Sequence, residues 1–314
     1  MKIVILDGHA LNPGDLSWDQ IRKFGEVTYY DRTPKELTAQ RIGDADIILL
    51  NKVQITEDVL AQCPNLKLIC ILATGYNVVD CAAAAKRGIR VCNVPGYSTN
   101  SVAQFTFALL LELCHHVGLH SDSVHSGEWT ACPDFAYWKT PQMELYGKTL
   151  GIIGYGSIGK AVARIAEAMG MRVIVHSRTP KEGVEFVSLQ ELLQRADVIT
   201  LHCPLFPENT GMINAETVAM MKKGAFLINT ARGGLIDEKA VADALHSSKL
   251  GGAAMDVVCQ EPINGDSPLL TAPNCIMTPH IAWAPLEARL RILDITEQSI
   301  QGFIDGKPVN VVNM

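Results

Sequence analysis

The sequence predicts an α/β protein made of two doubly wound parallel sheets. Three observations carry that expectation. The chain has 314 residues, and one domain is ordinarily about 150. Short apolar runs alternate with helical stretches almost from end to end, the order that gives parallel strands covered on both faces. The alternation lapses once, over residues 118–147, and then restarts.

Taken in order, KIVIL (2–6), DIILL (46–50), KLICIL (67–72) and IRVC (89–92) read as strands buried on both sides. Helices fall between them at 34–42 and 80–87. The second of these, DCAAAAKR, opens on an Asp cap and closes at Gly88. Residues 1–95 thus form one unit. A long helix is expected over 99–117, starting at a Thr/Asn cap and free of interior Pro and Gly. Its apolar face, Phe105, Leu109 and Leu113, asks for a partner surface. Residues 118–147, rich in His, Ser, Trp and Pro, read as a long loop, a length that is uncommon unless the loop serves a purpose. A second unit spans 148–283, and 285–303 reads as an amphipathic helix.

Composition narrows the partners. Hydrophobic residues make up 48%, charged residues 19%, and the net charge is −6, with no block of Lys and Arg. A nucleic-acid or membrane surface resting on bulk charge is not expected. The longest apolar stretch, FTFALLLELC, is broken by Glu112 and is too short to span a bilayer. The N-terminal apolar run stops at Asp7 and Gly8, so no signal peptide is expected. Nine scattered cysteines without a C-x-x-C suit free thiols in a reducing, cytoplasmic setting. His115, His116, His120 and His125 lack an acid at ligand spacing, and no metal is expected.

The chemistry begins at GYGSIG. Gly154, Gly156 and Gly159 follow a strand and open a helix, which is where a dinucleotide pyrophosphate needs a tight turn and free helical N–H groups. At the end of the next strand, HSRTP, Ser177 stands where an acid usually receives the adenosine ribose hydroxyls. Arg178, Thr179 and Lys181 follow. A carboxylate would repel a 2′-phosphate, whereas a hydroxyl and a guanidinium can bind one, so NADP is favoured and NAD remains possible.

Three polar residues fall at later strand ends: Arg232 in NTARGGLID, Glu261 in DVVCQEP and His280 in TPHIAW. Open α/β sheets bind ligands at the carboxyl ends of their strands. A guanidinium clamps a carboxylate, an imidazolium protonates a carbonyl oxygen, and a carboxylate on the other ring nitrogen fixes the tautomer.

These motifs, with ATGYNVVD (73–80) and CNVPGYSTNSVAQFTFALLLE (92–112), resemble the D-isomer-specific 2-hydroxyacid dehydrogenases over essentially the whole chain. The resemblance implies a Rossmann dinucleotide-binding domain, 98–284, inserted in a flavodoxin-like substrate domain of 1–97 plus 285–314. Separately, the apolar helix face and the unexplained loop predict a homodimer held largely by 99–147. The family's catalytic residues carry onto Arg232, Glu261 and His280, and its substrate-carboxylate loop onto Thr74 and Gly75. Cofactor contacts carry onto Gly154, Tyr155, Gly156, Ser157, Ile158 and Gly159, onto Ser177, Arg178 and Thr179, and onto Cys203, Pro204, Thr230 and Asp256. ATGYN together with CPDFAYWKTP resembles the glycerate dehydrogenase and hydroxypyruvate/glyoxylate reductase branch, in which Trp138 would reach the partner subunit's substrate. Lys52 falls where relatives place a basic residue facing substrate. The implied reaction exchanges a hydride between a nicotinamide dinucleotide and a small 2-oxo or D-2-hydroxy acid. Another 2-oxo acid as substrate, and a dinucleotide-sensing corepressor of the same fold, are the alternatives.

Overall fold

The computed structural model describes residues 1–179 and 183–313. Lys181 of the basic turn lies outside the described residues. The chain divides into two units, Met1–Ser98 with Ala284–Met314, and Thr99–Trp283.

The first unit carries a five-stranded sheet. Its strands are β1 (Lys2–Ile5), β2 (Glu26–Tyr29), β3 (Ile47–Leu50), β4 (Leu68–Ile71) and β5 (Arg90–Cys92). All pair in parallel in the order β2-β1-β3-β4-β5, the flavodoxin-like arrangement. Strands β3 and β4 are buried at every position, which is why their sequences are unbroken apolar runs. Strand β2 escaped the sequence reading because it lies at the sheet edge and is mostly exposed, so EVTY carries no such run. Helices α1 (Asp19–Arg22), α2 (Thr38–Ile42), α3 (Glu57–Ala61) and α4 (Cys81–Lys86) connect the strands. The Asp80 carboxylate accepts the Ala83 N–H at 2.9 Å and so caps α4 as its sequence predicts.

The second unit opens with α5 (Thr99–His115) and α6 (Val117–His125), separated by His116 in the left-handed region at φ 44°. The expected loop is therefore helical as far as His125. Its polar composition and Gly118 hide the period, since most of α6 is exposed. The apolar face of α5 also needs no external surface. Leu109 and Leu113 are buried with Leu150, Val162 and Phe226 in this unit's own core.

Seven parallel strands follow: β6 (Thr149–Ile153), β7 (Arg172–His176), β8 (Glu185–Phe186), β9 (Val198–Leu201), β10 (Ala225–Asn229), β11 (Leu250–Met255) and β12 (Cys275–Met277). Their order is β12-β11-β10-β9-β6-β7-β8, so the winding direction reverses between β6 and β9. Helices α7 (Ser157–Ala168), α8 (Leu189–Arg195), α9 (Ala215–Met220) and α10 (Glu238–His246) link them. A last helix, α11 (Leu286–Ile304), belongs to the first unit. Its Arg289 forks onto Asp15 at 2.7 and 2.6 Å and holds that carboxyl below the usual range. Among the described residues, no single helix is long and apolar enough to cross a membrane.

Candidate active site

The site residues of the second unit all follow strands of one sheet, at their carboxyl ends. Across that edge come Ser177 after β7, the glycine turn after β6, Cys203 and Pro204 after β9, Thr230 and Arg232 after β10, Asp256 and Glu261 after β11, and His280 after β12. The glycine turn sits at the reversal of strand order, where such sheets bind dinucleotides.

The turn itself fits a pyrophosphate. A Cβ on Gly154, whose φ is 98°, would lie 2.6 Å from the Cys203 nitrogen, and one on Gly159 would lie 2.2 Å from the Gly154 carbonyl oxygen. Both positions exclude any larger residue. Gly156, by contrast, faces open space and caps α7 without a side-chain hydrogen bond. Ser157 and Ile158 follow as the first helical residues, so the oriented N–H groups of a 12-residue helix meet that space. Tyr155 is held edge-on to Phe186 at 5.8 Å.

At the β7 end Ser177 is half-buried, and Arg178 and Thr179 are exposed. The Arg178 guanidinium stacks over Phe206 at 4.5 Å, and Nη1 comes within 3.9 Å of Glu208. Cys203 is half-buried, and burial raises its thiol pKa. Pro204 accepts Asn209 Nδ2–H at 2.9 Å. Buried Thr230 shares a hydroxyl–hydroxyl bond of 3.1 Å with Thr106.

Glu261 and His280, 19 residues apart, meet. The Glu261 Oε2 lies 2.7 Å from His280 Nδ1. An ionised carboxylate only accepts, so Nδ1 carries hydrogen and Nε2 is the nitrogen left for chemistry. His280 itself is held at φ 55°, with its N–H donating to the Thr278 carbonyl at 3.0 Å. Asp256 fixes that segment. Its buried carboxylate accepts Thr278 Oγ1–H at 2.6 Å and the N–H groups of Ile281 and Ala282 at 2.9 Å each. Burial raises its pKa against those bonds. The two oxygens of Asp256 thus serve the backbone around His280.

Arg232 is exposed at the end of an extended residue, and its Nη1–H donates to the Ala231 carbonyl at 2.6 Å. The turn is set by fully buried Asn229, which accepts Ala231 N–H at 3.0 Å and donates to the Arg232 carbonyl at 2.8 Å.

In the first unit, Thr74 Oγ1–H donates to the Val94 carbonyl at 2.8 Å, while the Thr74 carbonyl accepts Asn93 Nδ2–H at 2.7 Å. Those bonds shape the Thr74–Gly75 turn. Exposed Lys52 follows β3, and its backbone N–H donates to Asp7 at 2.6 Å. Asp7 also accepts from Asn51 and Val53, at 2.7 and 3.2 Å. Trp138 is exposed beside an open groove of about 540 Å³ shared with His115, Val117, His120 and Tyr137.

Asp7, Asn93 and Asn229 went unread in the sequence. Each is a polar residue closing an apolar strand, a signal that could have found them. What they bind is backbone, which no spacing encodes.

Three comparisons bear on this geometry. Residues 107–282 match the family model described as D-isomer specific 2-hydroxyacid dehydrogenase, NAD binding domain. The chain is 51% identical to the hydroxypyruvate reductase of Blautia hydrogenotrophica over the full length of both. It is 42% identical to the glycerate dehydrogenase of Methylorubrum extorquens, covering 99% of this chain and 98% of the other. The solved NADPH-dependent glyoxylate/hydroxypyruvate reductase of Sinorhizobium meliloti, seen with citrate, superposes with a TM-score of 0.85 at 26% identity, covering 99% of this chain and 97% of that one. With a glycine turn that fits a nicotinamide dinucleotide, and Arg232, Glu261 and His280 at successive strand ends, the chain belongs to the D-isomer-specific 2-hydroxyacid dehydrogenase family.

Proposed function

We propose that this enzyme reduces hydroxypyruvate or glyoxylate to D-glycerate or glycolate, with NADPH preferred over NADH. The observation that carries the reading is the 2.7 Å pairing of Glu261 with His280 on the sheet edge that bears the glycine turn. The similarity to proteins named hydroxypyruvate reductase and glycerate dehydrogenase supports the choice of acid.

When bound along the glycine turn, the dinucleotide supplies the hydride. Every other step falls to side chains. Arg232 takes the substrate carboxylate through its guanidinium fork. The Thr74–Gly75 backbone keeps the carboxylate-binding role, and Lys52 the substrate-facing role, that the family resemblance gives them. Glu261 holds the Nδ1 hydrogen of His280 and so fixes Nε2 as the nitrogen that faces the carbonyl. His280 donates its Nε2 proton to the carbonyl oxygen as negative charge gathers there. It becomes neutral in doing so, and Glu261 stays ionised.

For the cofactor, Ser177 presents no charge to repel a 2′-phosphate, and Phe206 supports the Arg178 guanidinium beside it. For assembly, the reading includes a homodimer through the 117–146 surface, with Trp138 touching the partner's substrate. A spectrophotometric panel tests the whole. Glyoxylate, hydroxypyruvate, pyruvate and 2-oxoisocaproate are assayed against NADH and NADPH. The highest kcat/KM is expected for hydroxypyruvate or glyoxylate. A higher value for 2-oxoisocaproate overturns the substrate, and no turnover on any acid turns the reading toward a dinucleotide-sensing binding protein.

A further inference from the structure

Glu261 lies on a segment that burial does not hold. Cys259, Gln260, Glu261, Pro262, Asn264, Gly265 and Asp266 are all exposed, and the next buried residue is Ser267. Bonds within the segment tie its parts to one another. Val258 N–H donates to Glu261 Oε1 at 3.4 Å, Asn264 Nδ2–H to Gln260 at 3.0 Å, and Ser267 N–H to the Asn264 carbonyl at 3.1 Å. Beyond them, Val258 packs on the core, the Cys259 thiol donates to the Ile236 carbonyl at 3.8 Å and Glu261 pairs with His280, but none of these holds both ends of the segment.

Glu238 does. It is the first residue of α10, and its carboxylate reaches both ends of the segment. Oε1 accepts the Cys259 N–H at 2.7 Å, and Oε2 accepts the Ser267 hydroxyl at 3.0 Å. Six residues before Glu238 in the same stretch of chain stands Arg232. An acid in the first turn of a helix has an ordinary use against the helix dipole. Spending both oxygens on one distant loop goes beyond it.

We propose that Glu238 is a positioning residue for catalysis, a two-point clip that fixes the Glu261 segment to the stretch bearing Arg232. The inference rests on the proposed roles of Glu261 and His280. Without the clip Glu261 wanders, His280 loses its fixed orientation, and proton donation slows while dinucleotide binding does not change.

Three variants test it in the intact enzyme: Glu238→Ala, Glu238→Gln and Ser267→Ala. Glu238→Ala is expected to lower kcat by about 10- to 100-fold, the usual effect of a small misplacement of catalytic groups. The KM for NADPH should stay unchanged, and the solvent isotope effect on kcat should rise as proton transfer becomes limiting. Glu238→Gln retains an oxygen for Cys259 N–H and an NH₂ that can donate to the Ser267 hydroxyl, so its kcat should return to within about threefold of wild type. Ser267→Ala removes one point of the clip and should fall between them, which serves as the test if Glu238→Ala does not fold. A purely structural role would lower melting temperature and active fraction but leave the isotope effect alone, and that result overturns the proposal. So does Gln performing as badly as Ala. If Glu261→Gln impairs reduction while Glu238→Ala does not, this inference alone is wrong. If Glu261→Gln is also without effect, or the wild type turns over no 2-oxo acid, the underlying reading falls and takes this one with it.

Discussion

Gly233 lies against the backbone of Val258 so closely that a Cβ on it would sit 1.9 Å from the Val258 carbonyl carbon. The residue after Arg232 and the start of the Glu261 segment are therefore in direct main-chain contact. Asp256 adds the third member by accepting the Thr278 hydroxyl before His280 and the Ile281 and Ala282 N–H groups after it. Main chain packed on main chain is one part of the frame that places the guanidinium, carboxylate and imidazole, and the carboxylates of Asp256 and Glu238, bonded across it, are the other.

That contact makes two adjacent glycines unequal. A Cβ on Gly233 meets backbone of Val258 and Cys259, which cannot move without moving β11's exit, whereas one on Gly234 meets a Leu205 methyl at 2.9 Å, the end of a flexible side chain. Gly233→Ala should cost about 1–3 kcal/mol or more through overpacking and take most of the activity with it. Gly234→Ala should remain close to wild type. Melting curves and kcat for both variants check this, and equal behaviour would show that the frame yields.

His280→Ala should lower kcat for reduction by at least about 10²-fold, the loss expected for a positioned general acid. Dinucleotide affinity, measured by fluorescence titration, should barely change. A variant within a few-fold of wild type removes His280 from the proton step.

The sheets were legible because buried parallel strands must be apolar throughout, and β3, β4, β9 and β10 are buried at every residue. β2 was not, because half-exposed edge strands carry no such mark. Arg232, Glu261 and His280 could be singled out because they follow apolar, strand-like runs, and the structure brings Glu261 to His280 across 19 residues. The helix at Val117–His125 was missed since few of its residues are buried, so its sequence keeps no period. The partners of Asp256 and Glu238 were illegible for a different reason. They bind backbone N–H groups and two hydroxyls, and such contacts leave no trace in residue type.

Acid stability should depend on His202. Its ring Nε2 lies 2.6 Å from Thr200 Oγ1, its Nδ1 has no partner, and burial pushes its pKa down to about 3. A histidine whose folded pKa is depressed contributes stability that is present above the unfolded value of about 6.5 and is lost as pH falls toward the folded one. At pH 4.5 the loss is at most about 2.7 kcal/mol, two pH units at about 1.4 kcal/mol each. Relative to wild type, His202→Gln should therefore gain a few degrees of melting temperature between pH 7 and pH 4.5. A pH-independent difference between the two proteins would mean the ring is hydrated when folded.

Light scattering at micromolar concentration should give twice the 34.1 kDa chain mass. The apolar face of α5 no longer supports this, being buried in its own core. The surface that does is the stretch after it. Val117, Trp129, Phe135, Trp138 and Tyr146 all stand exposed along it, and Val117 and Trp138 line one open groove. Trp138→Ala should then alter the preference among 2-oxo acids more than the KM for NADPH. A 34 kDa particle would sink the dimer.

The cofactor preference follows from what faces the ribose 2′ position. An aspartate there would accept two hydrogen bonds from the NADH diol and repel the phosphate of NADPH. Ser177 does neither, and Arg178 can give charge-assisted bonds worth roughly 1.5–3 kcal/mol net. At about 1.4 kcal/mol per decade, that is roughly a ten- to hundredfold preference for NADPH. Two features pull the figure toward its lower end. The guanidinium is largely exposed, which screens its charge, and Glu208 lies 3.9 Å from it. Against this, stacking on Phe206 keeps the cation at the turn when no phosphate is present, so less order is lost on binding. The ratio of kcat/KM for NADPH over NADH should be above one in the wild type, higher in Glu208→Gln, and below one in Ser177→Asp. If the wild type already prefers NADH strongly, Arg178 does not meet a phosphate, and the serine at this strand end has another reason.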